Sequence, residues 1–183
     1  MRTVHEGCKY IESSSADFRG TSEEPDHVSK KLANLKFPQE RGPMFGPAHA
    51  SCKVAWSFPS NGCQDVSAAL VAAAESMSGF ADCNGGNKCG YTVTQVDDTG
   101  IELVHETSVQ HYRDTVDISF EDEGDCCQAH GFSTSQTWYA VLDNGVNYCN
   151  MHNLVEATGL MYEETGVSDA SCTQYSSADC ERY

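Results

Sequence analysis

Ten cysteines spread along a chain of 183 residues constrain the fold more than any other sequence feature. None of the closely spaced pairs has the ligand spacing of a structural zinc site. We therefore predict that all ten form disulfides, which persist outside the cell or in the lumen of a secretory organelle. Their connectivity cannot be deduced from spacing alone. The predicted disulfide residues are Cys8, Cys52, Cys63, Cys83, Cys89, Cys126, Cys127, Cys149, Cys172 and Cys180.

The formal net charge of −16 is distributed unevenly along the chain. Residues 1–53 hold eight Lys/Arg and seven Asp/Glu, whereas the remaining residues hold three and twenty. Nucleic acids and anionic lipids bind cationic surfaces, so we expect neither as a partner. The longest apolar run, residues 68–74, is too short for membrane insertion. Residues 1–20 lack the apolar core of a signal peptide, so we expect a secreted form to have lost its signal already.

Composition divides the chain into three parts. Residues 1–51 read as an extended N-terminal arm, punctuated by Pro and Gly, with one short helix predicted over 27–37. Residues 52–154 carry regular hydrophobic periodicity and are predicted to form the folded domain. Residues 155–183 are predicted to be a C-terminal tail anchored by its two cysteines.

The periodicity of the domain predicts an α+β fold in which one amphipathic helix packs on an antiparallel sheet of about five to six strands. Val66, Leu70, Ala73 and Met77 recur at helical spacing within 63–78, and Gly79 follows as a stop signal. The Asn144-Gly145 pair predicts a type I′ turn between two final strands. The predicted strands span residues 53–58, 91–96, 101–109, 111–120 and 146–154, with 128–135 and 137–142 as two strands or one bent strand.

Two segments resemble a family of bacterial and plastid proteins known only as a domain of unknown function. Asp114–Ile118 reads Asp-Thr-Val-Asp-Ile, where the family has Asp-Asp-Val-Glu-Phe. Ser133–Tyr139, leading to Gly145–Asn147, resembles the family's Ser-x-Ser-Arg-x-Gly-Tyr-Ser-Asp-Leu-Gly-Val-Asn, with Gln136 at the arginine position. The resemblance covers about residues 54–154. It implies a helix before a sheet and no established activity.

Residues 133–154 hold the residue types of a hydrolase triad, with Ser133 or Ser135 as nucleophile, His152 as base and Asp143 as orienting carboxylate. No GxSxG elbow accompanies them, and side chains on a strand alternate between faces. We therefore favour a scaffold of two strands and a turn. In that interpretation the serines and threonines line a solvated face, and the core is filled by Trp138, Ala140 and Leu142.

For the other candidate catalytic and metal-binding residues, the sequence also favours a structural role. Cys149 and His152 resemble a thiol nucleophile and its base, but an oxidised cysteine does not attack a substrate. His105 with His111, or His130 after two cysteines, is a hypothetical copper or zinc site, although we predict no bound metal. Ser13–Ser15 and Ser176–Ser177 are possible O-glycan acceptors. Calcium is the one possible cofactor, at an acidic turn containing Glu121, Asp122, Glu123 and Asp125.

The sequence is most typical of a non-catalytic, secreted, disulfide-rich structural protein. The arm is less acidic than the domain and long enough to reach another subunit, which favours self-assembly with copies of itself into a filament, matrix or surface layer. The alternative hypothesis is an extracellular domain that binds calcium, another metal or a small molecule. The aromatic residues that would line a small-molecule pocket are Trp56, Tyr91, Tyr112, Trp138 and Tyr139.

Overall fold

The structure, a computed structural model, describes residues 49–81, 83, 86–124, 126–137 and 141–182. The short helix predicted over 27–37 therefore lies outside the described residues, as do Cys8 and nearly all of the predicted arm.

Six antiparallel strands and two helices make up the regular structure of the described residues, which confirms the predicted α+β class. The strand order in the sheet is β2-β3-β4-β5-β1-β6. A short 3₁₀ turn, Tyr175–Ser177, follows the last strand. In chain order the elements are β1 Ser51–Phe58, α1 Cys63–Ser76, β2 Tyr91–Asp97, β3 Gly100–Glu106, β4 Arg113–Asp122, β5 Cys127–Ser135, α2 Val146–Ala157 and β6 Glu163–Thr165.

Both helices pack on one side of the sheet, which we call the inner face. On β1, Val54, Trp56 and Phe58 alternate onto this face and are at most 3% exposed. Val66 and Leu70 of α1 are fully buried against it, as the helical spacing predicted. Alternation at period two in the strands and near four in α1 thus buries one continuous apolar core.

The predicted strand over residues 146–154 is wrong, because these residues form α2. Asn144 and Gly145 do have the positive φ values, 54° and 78°, that a type I′ turn requires. The turn leads into a helix because the Asp143 carboxylate accepts a hydrogen bond from the backbone N–H of Asn147 at 2.9 Å. A carboxylate in this position satisfies one of the free N–H groups of the first helical turn.

The predicted solvated face of residues 133–135 is also wrong. Ser133 and Ser135 are 0% and 5% exposed and lie on the inner face of β5. Leu142, expected in the core, is 72% exposed, and the described part of 137–142 contains no strand. Trp138 and Ala140 lie outside the described residues. The serines are buried because β5 is a central strand and both helices cover its inner face.

Four disulfides connect the described elements, and none of the described cysteines is free. Cys52–Cys172 joins β1 to the C-terminal segment, and Cys149–Cys180 joins α2 to the same segment. That segment also contributes β6, which pairs with β1 at the edge of the sheet. Cys63–Cys127 joins α1 to β5, and Cys83–Cys89 closes a short loop.

Candidate functional site

Four polar side chains form a row across one end of the inner face. Tyr91 on β2 opposes His105 on β3, His105 opposes Asp114 on β4, and Asp114 opposes Ser135 on β5. Directly opposed residues of antiparallel strands project from the same face. Each of the four is at most 5% exposed. We call these residues the polar row.

Asn150 on α2 lies against the polar row and holds two of its members. Its side-chain amide donates a hydrogen bond to Asp114 Oδ2 at 2.8 Å, and its backbone carbonyl accepts one from the Tyr91 hydroxyl at 2.7 Å. His105 Nε2 lies 2.9 Å from the carbonyl oxygen of Asn87, to which a protonated Nε2 donates. His105 Nδ1 lies 4.0 Å from Asp114 Oδ2. The row is therefore bound to α2 on one side and to the loop before β2 on the other.

Burial disfavours the charged forms of the ionisable groups in the polar row. It raises the pKa of Asp114, although the hydrogen bond from Asn150 and the proximity of His105 act in the opposite direction. It lowers the pKa of His105, against the effects of Asn87 and Asp114. It also raises the pKa of Tyr91, which the nearby Asp114 carboxyl raises further. The arrangement thus favours a neutral hydrogen-bonded network over an exposed charged base.

A second network lies beside the polar row, around Asn147 of α2. Ser133 Oγ donates a hydrogen bond to Asn147 Oδ1 at 2.6 Å. Asn147 Nδ2 donates to Asp143 Oδ2 at 2.7 Å and lies 3.2 Å from the carbonyl oxygen of Ala50. Ser133, Asp143 and the residue preceding β1 are thus connected through one buried amide.

The structure brings together only part of the hypothetical hydrolase triad. Ser133 and Asp143 share Asn147, but His152 stacks on Tyr148, with ring centroids 5.3 Å apart. The imidazole that shares a row with a buried serine is instead His105. From the sequence alone, His105 was not grouped with Asp114 and Ser135. The alternation of side chains between the two faces of β3, β4 and β5 could have indicated that the three share one face.

His152 and Tyr148 belong to a third network, centred on Glu164 of β6. The Trp56 indole N–H donates to Glu164 Oε2 at 3.0 Å, and the Tyr148 hydroxyl donates to Glu164 Oε1, also at 3.0 Å. Burial raises the pKa of Tyr148, and the adjacent Glu164 carboxylate raises it further. One carboxylate therefore links β1, α2 and β6.

The other sequence candidates are separate from one another. Cys149 is bonded to Cys180, so its sulfur is not a thiol. His105 is buried, whereas His111 is exposed in a loop and lies 2.7 Å from Glu106. The described residues contain no group of three or more His, Cys, Asp or Glu side chains placed to hold a metal ion.

Among the described residues, the structure does not bring together the members of the possible calcium turn or those of the possible aromatic pocket. Asp122 Oδ1 accepts a hydrogen bond from the backbone N–H of Gly124 at 3.0 Å, while Asp125 lies outside the described residues. Trp56 and Tyr91 are buried on β1 and β2, which three strands separate. Tyr112 is 46% exposed. Trp138 and Tyr139 lie outside the described residues.

No family model matches the chain, and neither does any curated protein or solved structure. The four disulfides indicate an oxidising environment, secretory or extracellular. Neither of the two helices in the described part of the chain is long and apolar enough to cross a membrane.

Proposed function

We propose that the chain is a non-catalytic structural subunit of an extracellular material or surface, and that its copies assemble through the N-terminal arm. The observation that carries this proposal is the position of the disulfides. Two of the four fasten the C-terminal segment to β1 and α2, one fastens α1 to β5, and one closes the loop before β2. Such bracing suits a protein that must persist where refolding is not assisted.

Crosslinks across long stretches of chain support the durable-subunit role. Cys52–Cys172 and Cys63–Cys127 close stretches of 120 and 64 residues, and Cys149–Cys180 closes one of 31. In the chain-entropy model, each crosslink of this kind restricts the unfolded chain and stabilises the fold by about 4 to 5 kcal/mol. The C-terminal segment is held by two of them.

The oxidation state and burial of the potentially reactive side chains also support a non-catalytic role. Cys149 is oxidised, and Ser133 is buried with its hydroxyl donated to Asn147. The His105–Asp114 pair is enclosed between the sheet and α2. These groups are buried and contribute to packing between the sheet and α2.

The sheet itself is poorly suited to growth by strand addition, which leaves the arm as the better means of assembly. One edge strand, β2, has a register shift between Val93 and Gln95, and the other, β6, is only three residues long. Irregular and short edge strands resist pairing with another chain. The arm carries most of the basic residues, whereas the body that it would contact is strongly acidic.

Assembly can be tested on the full chain by light scattering after size exclusion and by negative-stain microscopy. A charge-reversal variant, K30E/K31E/K36E/R41E, is compared with the charge-preserving variant K30R/K31R/K36R. We expect concentration-dependent oligomers for the wild type and the charge-preserving variant, and monomers for the charge-reversal variant. A wild type that stays monomeric at every concentration, or a charge-reversal variant that still assembles, would contradict the proposal.

A further inference from the structure

We propose that Asn61 is a site of spontaneous deamidation by water, whereas Asn144, which has the same Asn-Gly sequence, is protected by the fold. An asparagine that precedes glycine is prone to this reaction, because glycine lacks a Cβ that would hinder attack by its backbone nitrogen. Two such pairs, Asn61-Gly62 and Asn144-Gly145, lie within the described residues. A third pair, residues 84–85, lies outside them.

The reaction requires a backbone nitrogen that can lose its proton and approach the asparagine side chain. The Gly62 nitrogen, once deprotonated by base in the solvent, attacks the side-chain carbonyl carbon of Asn61. The new C–N bond closes a succinimide ring, and the side-chain nitrogen leaves as ammonia. Water then opens the ring at either carbonyl, which leaves aspartate or isoaspartate. The co-reactant is therefore water, and the products are an acidic residue and ammonia.

The Asn61-Gly62 pair connects β1 to α1 and is open to this reaction. Both residues are partly exposed. Within the described part of the chain, neither the Asn61 side chain nor the Gly62 N–H makes a hydrogen bond. The Gly62 carbonyl accepts the first helical bond, from the N–H of Val66 at 3.1 Å, so the Asn61–Gly62 peptide lies outside α1. A Cβ added at Gly62 would meet no atom within 4 Å, which leaves this peptide room to turn.

The Asn144-Gly145 pair, between β5 and α2, is held at its attacking nitrogen. The Gly145 N–H donates to Asp143 Oδ1 at 3.2 Å, and the adjacent carboxylate disfavours loss of that proton. Gly145 also packs closely on Ala178, since an added Cβ would lie 2.5 Å from the Ala178 Cβ. The Asn144 N–H donates to Gln174 Oε1 at 2.8 Å. Ring closure at Asn144 would break these contacts, although the Asn144 side chain is exposed.

Deamidation at Asn61 changes the chain without releasing α1. It places a carboxylate just before the first turn of α1, where the helix dipole favours negative charge. Cys63, the first residue of α1, stays bonded to Cys127 of β5. In a long-lived extracellular subunit, the deamidated fraction therefore increases with the age of the protein. This last consequence rests on the proposed function, whereas the reaction at Asn61 does not.

Peptide mapping of the full chain over time tests the proposal. The folded, unreduced protein is incubated in mildly alkaline buffer, and samples are then reduced, alkylated and digested with a glutamate-specific protease. Asn61 and Asn144 fall in separate peptides, residues 41–75 and 124–156, and the pair at 84–85 falls in 76–102. Fragment masses locate each deamidated residue, and a sample taken at the start corrects for deamidation during digestion. We expect Asn61 to react at least about tenfold faster than Asn144, because ring closure at Asn144 breaks two hydrogen bonds.

The same measurement on the reduced protein in denaturant is the matched control, because it keeps the sequence and removes the fold. Asn61 and Asn144 should then react at similar rates. In the folded protein, Gly62→Ala should slow the reaction at Asn61, because the added Cβ hinders the attacking nitrogen. A wild-type rate in Gly62→Ala would contradict attack by that nitrogen.

The wild-type rates decide the proposal even where Gly62→Ala fails to fold. An Asn61 that stays intact in the folded protein, or an Asn144 that reacts as fast, would overturn it. An equal ratio of the two rates in folded and denatured protein would also overturn it, since the fold would then contribute nothing. These rates are measured whether or not the chain assembles, so failure of the proposed function would leave the result at Asn61 unaffected.

Discussion

The carboxyl group of Asp114 on β4 accepts a hydrogen bond from the side-chain amide of Asn150 on α2, at 2.8 Å. The two residues are 4% and 2% exposed. A buried polar group that loses its partner costs more free energy than the hydrogen bond itself contributes, because it has already given up its contacts with water. This pair therefore fixes the position of α2 over the polar row.

Asn150→Ala should lower the free energy of unfolding by about 1–3 kcal/mol, because it leaves the Asp114 carboxyl buried without its amide donor. Equilibrium unfolding in guanidinium chloride measures the effect. Gln64→Ala is the matched control, since it removes an exposed amide from α1, and it should change stability by no more than about 0.5 kcal/mol. Equal losses in the two variants would refute a role for the buried pair.

Asp114→Asn should change the pH dependence of stability. Burial raises the pKa of Asp114 in the folded chain, whereas the pKa of an aspartate in the unfolded chain is about 4. At pH values between these two pKa values, the unfolded state binds fewer protons than the folded state. Wild-type stability contributed by this group therefore falls as pH rises through that window. The asparagine side chain does not ionise, so the variant does not lose stability in this way. Its free energy of unfolding should therefore rise relative to that of the wild type as the pH increases above about 4. Unfolding measurements from pH 4 to 8 test the sign.

Asp97→Asn is the control of opposite sign. The exposed Asp97 carboxylate accepts hydrogen bonds from the hydroxyl and backbone N–H of Thr99 and from Gln95, which lower its pKa to about 2. Its contribution to stability is present above its unfolded pKa and is lost as pH falls toward 2. The variant should therefore be less stable than wild type near pH 5 and approach it in acid. The same trend in both aspartate variants would contradict the assignment of Asp114.

β1 and α1 were predictable from sequence because their buried positions are apolar. Apolar residues recur at period two in β1, at Val54, Trp56 and Phe58, and at helical spacing in α1, at Val66 and Leu70. The hydrophobic pattern alone therefore predicts which face of each element is buried. In α2, Asn147 and Asn150 occupy buried positions where a leucine would have made the helix recognisable. Their polar side chains are tolerated because Asp143, Ser133 and Asp114 satisfy them. Ser133 and Asp114 lie on other elements, so the sequence around α2 does not reveal them.

The polar row was less predictable than the strands that form it. Alternation places His105 and Asp114 on the inner face once the strand boundaries are known, but only the register makes them direct neighbours. Register depends on the lengths of the turns between strands. In the turn between β3 and β4, His111 has a positive φ, which the turn's sequence does not predict. The disulfide partners were unpredictable for the same reason, since pairing follows tertiary contacts.

Gly131→Ala should destabilise the chain by about 1–3 kcal/mol through overpacking. An added Cβ would lie 2.6 Å from the Trp56 ring and 2.8 Å from Met151 Sδ, between β1 and α2. Gly62→Ala is the control, since nothing lies within 4 Å of its Cβ position, and its cost should be smaller. Unfolding midpoints of the two variants test the difference. Comparable midpoints would mean that the space between Trp56 and Met151 can expand.

Glu164→Gln should lower the free energy of unfolding by about 1–3 kcal/mol. The Glu164 carboxylate accepts hydrogen bonds from the Trp56 indole and the Tyr148 hydroxyl through its two oxygens. A glutamine has one acceptor oxygen and an NH₂ group that only donates, so only one of the two donors keeps an acceptor at this side chain, and neither keeps a charged one. The Trp56 indole cannot turn to water for a replacement, because Trp56 is 0% exposed.

Glu163→Gln provides the matched control for this last prediction. Glu163 is the neighbouring residue on β6, and its side chain is exposed. The substitution removes the same charge from the same strand, so a loss due only to net charge would be equal in the two variants. We expect a change within about 0.5 kcal/mol for Glu163→Gln. If both variants lose equal stability, the hydrogen bonds to Trp56 and Tyr148 do not hold β6 in place, and the disulfide Cys52–Cys172 is sufficient to anchor the segment.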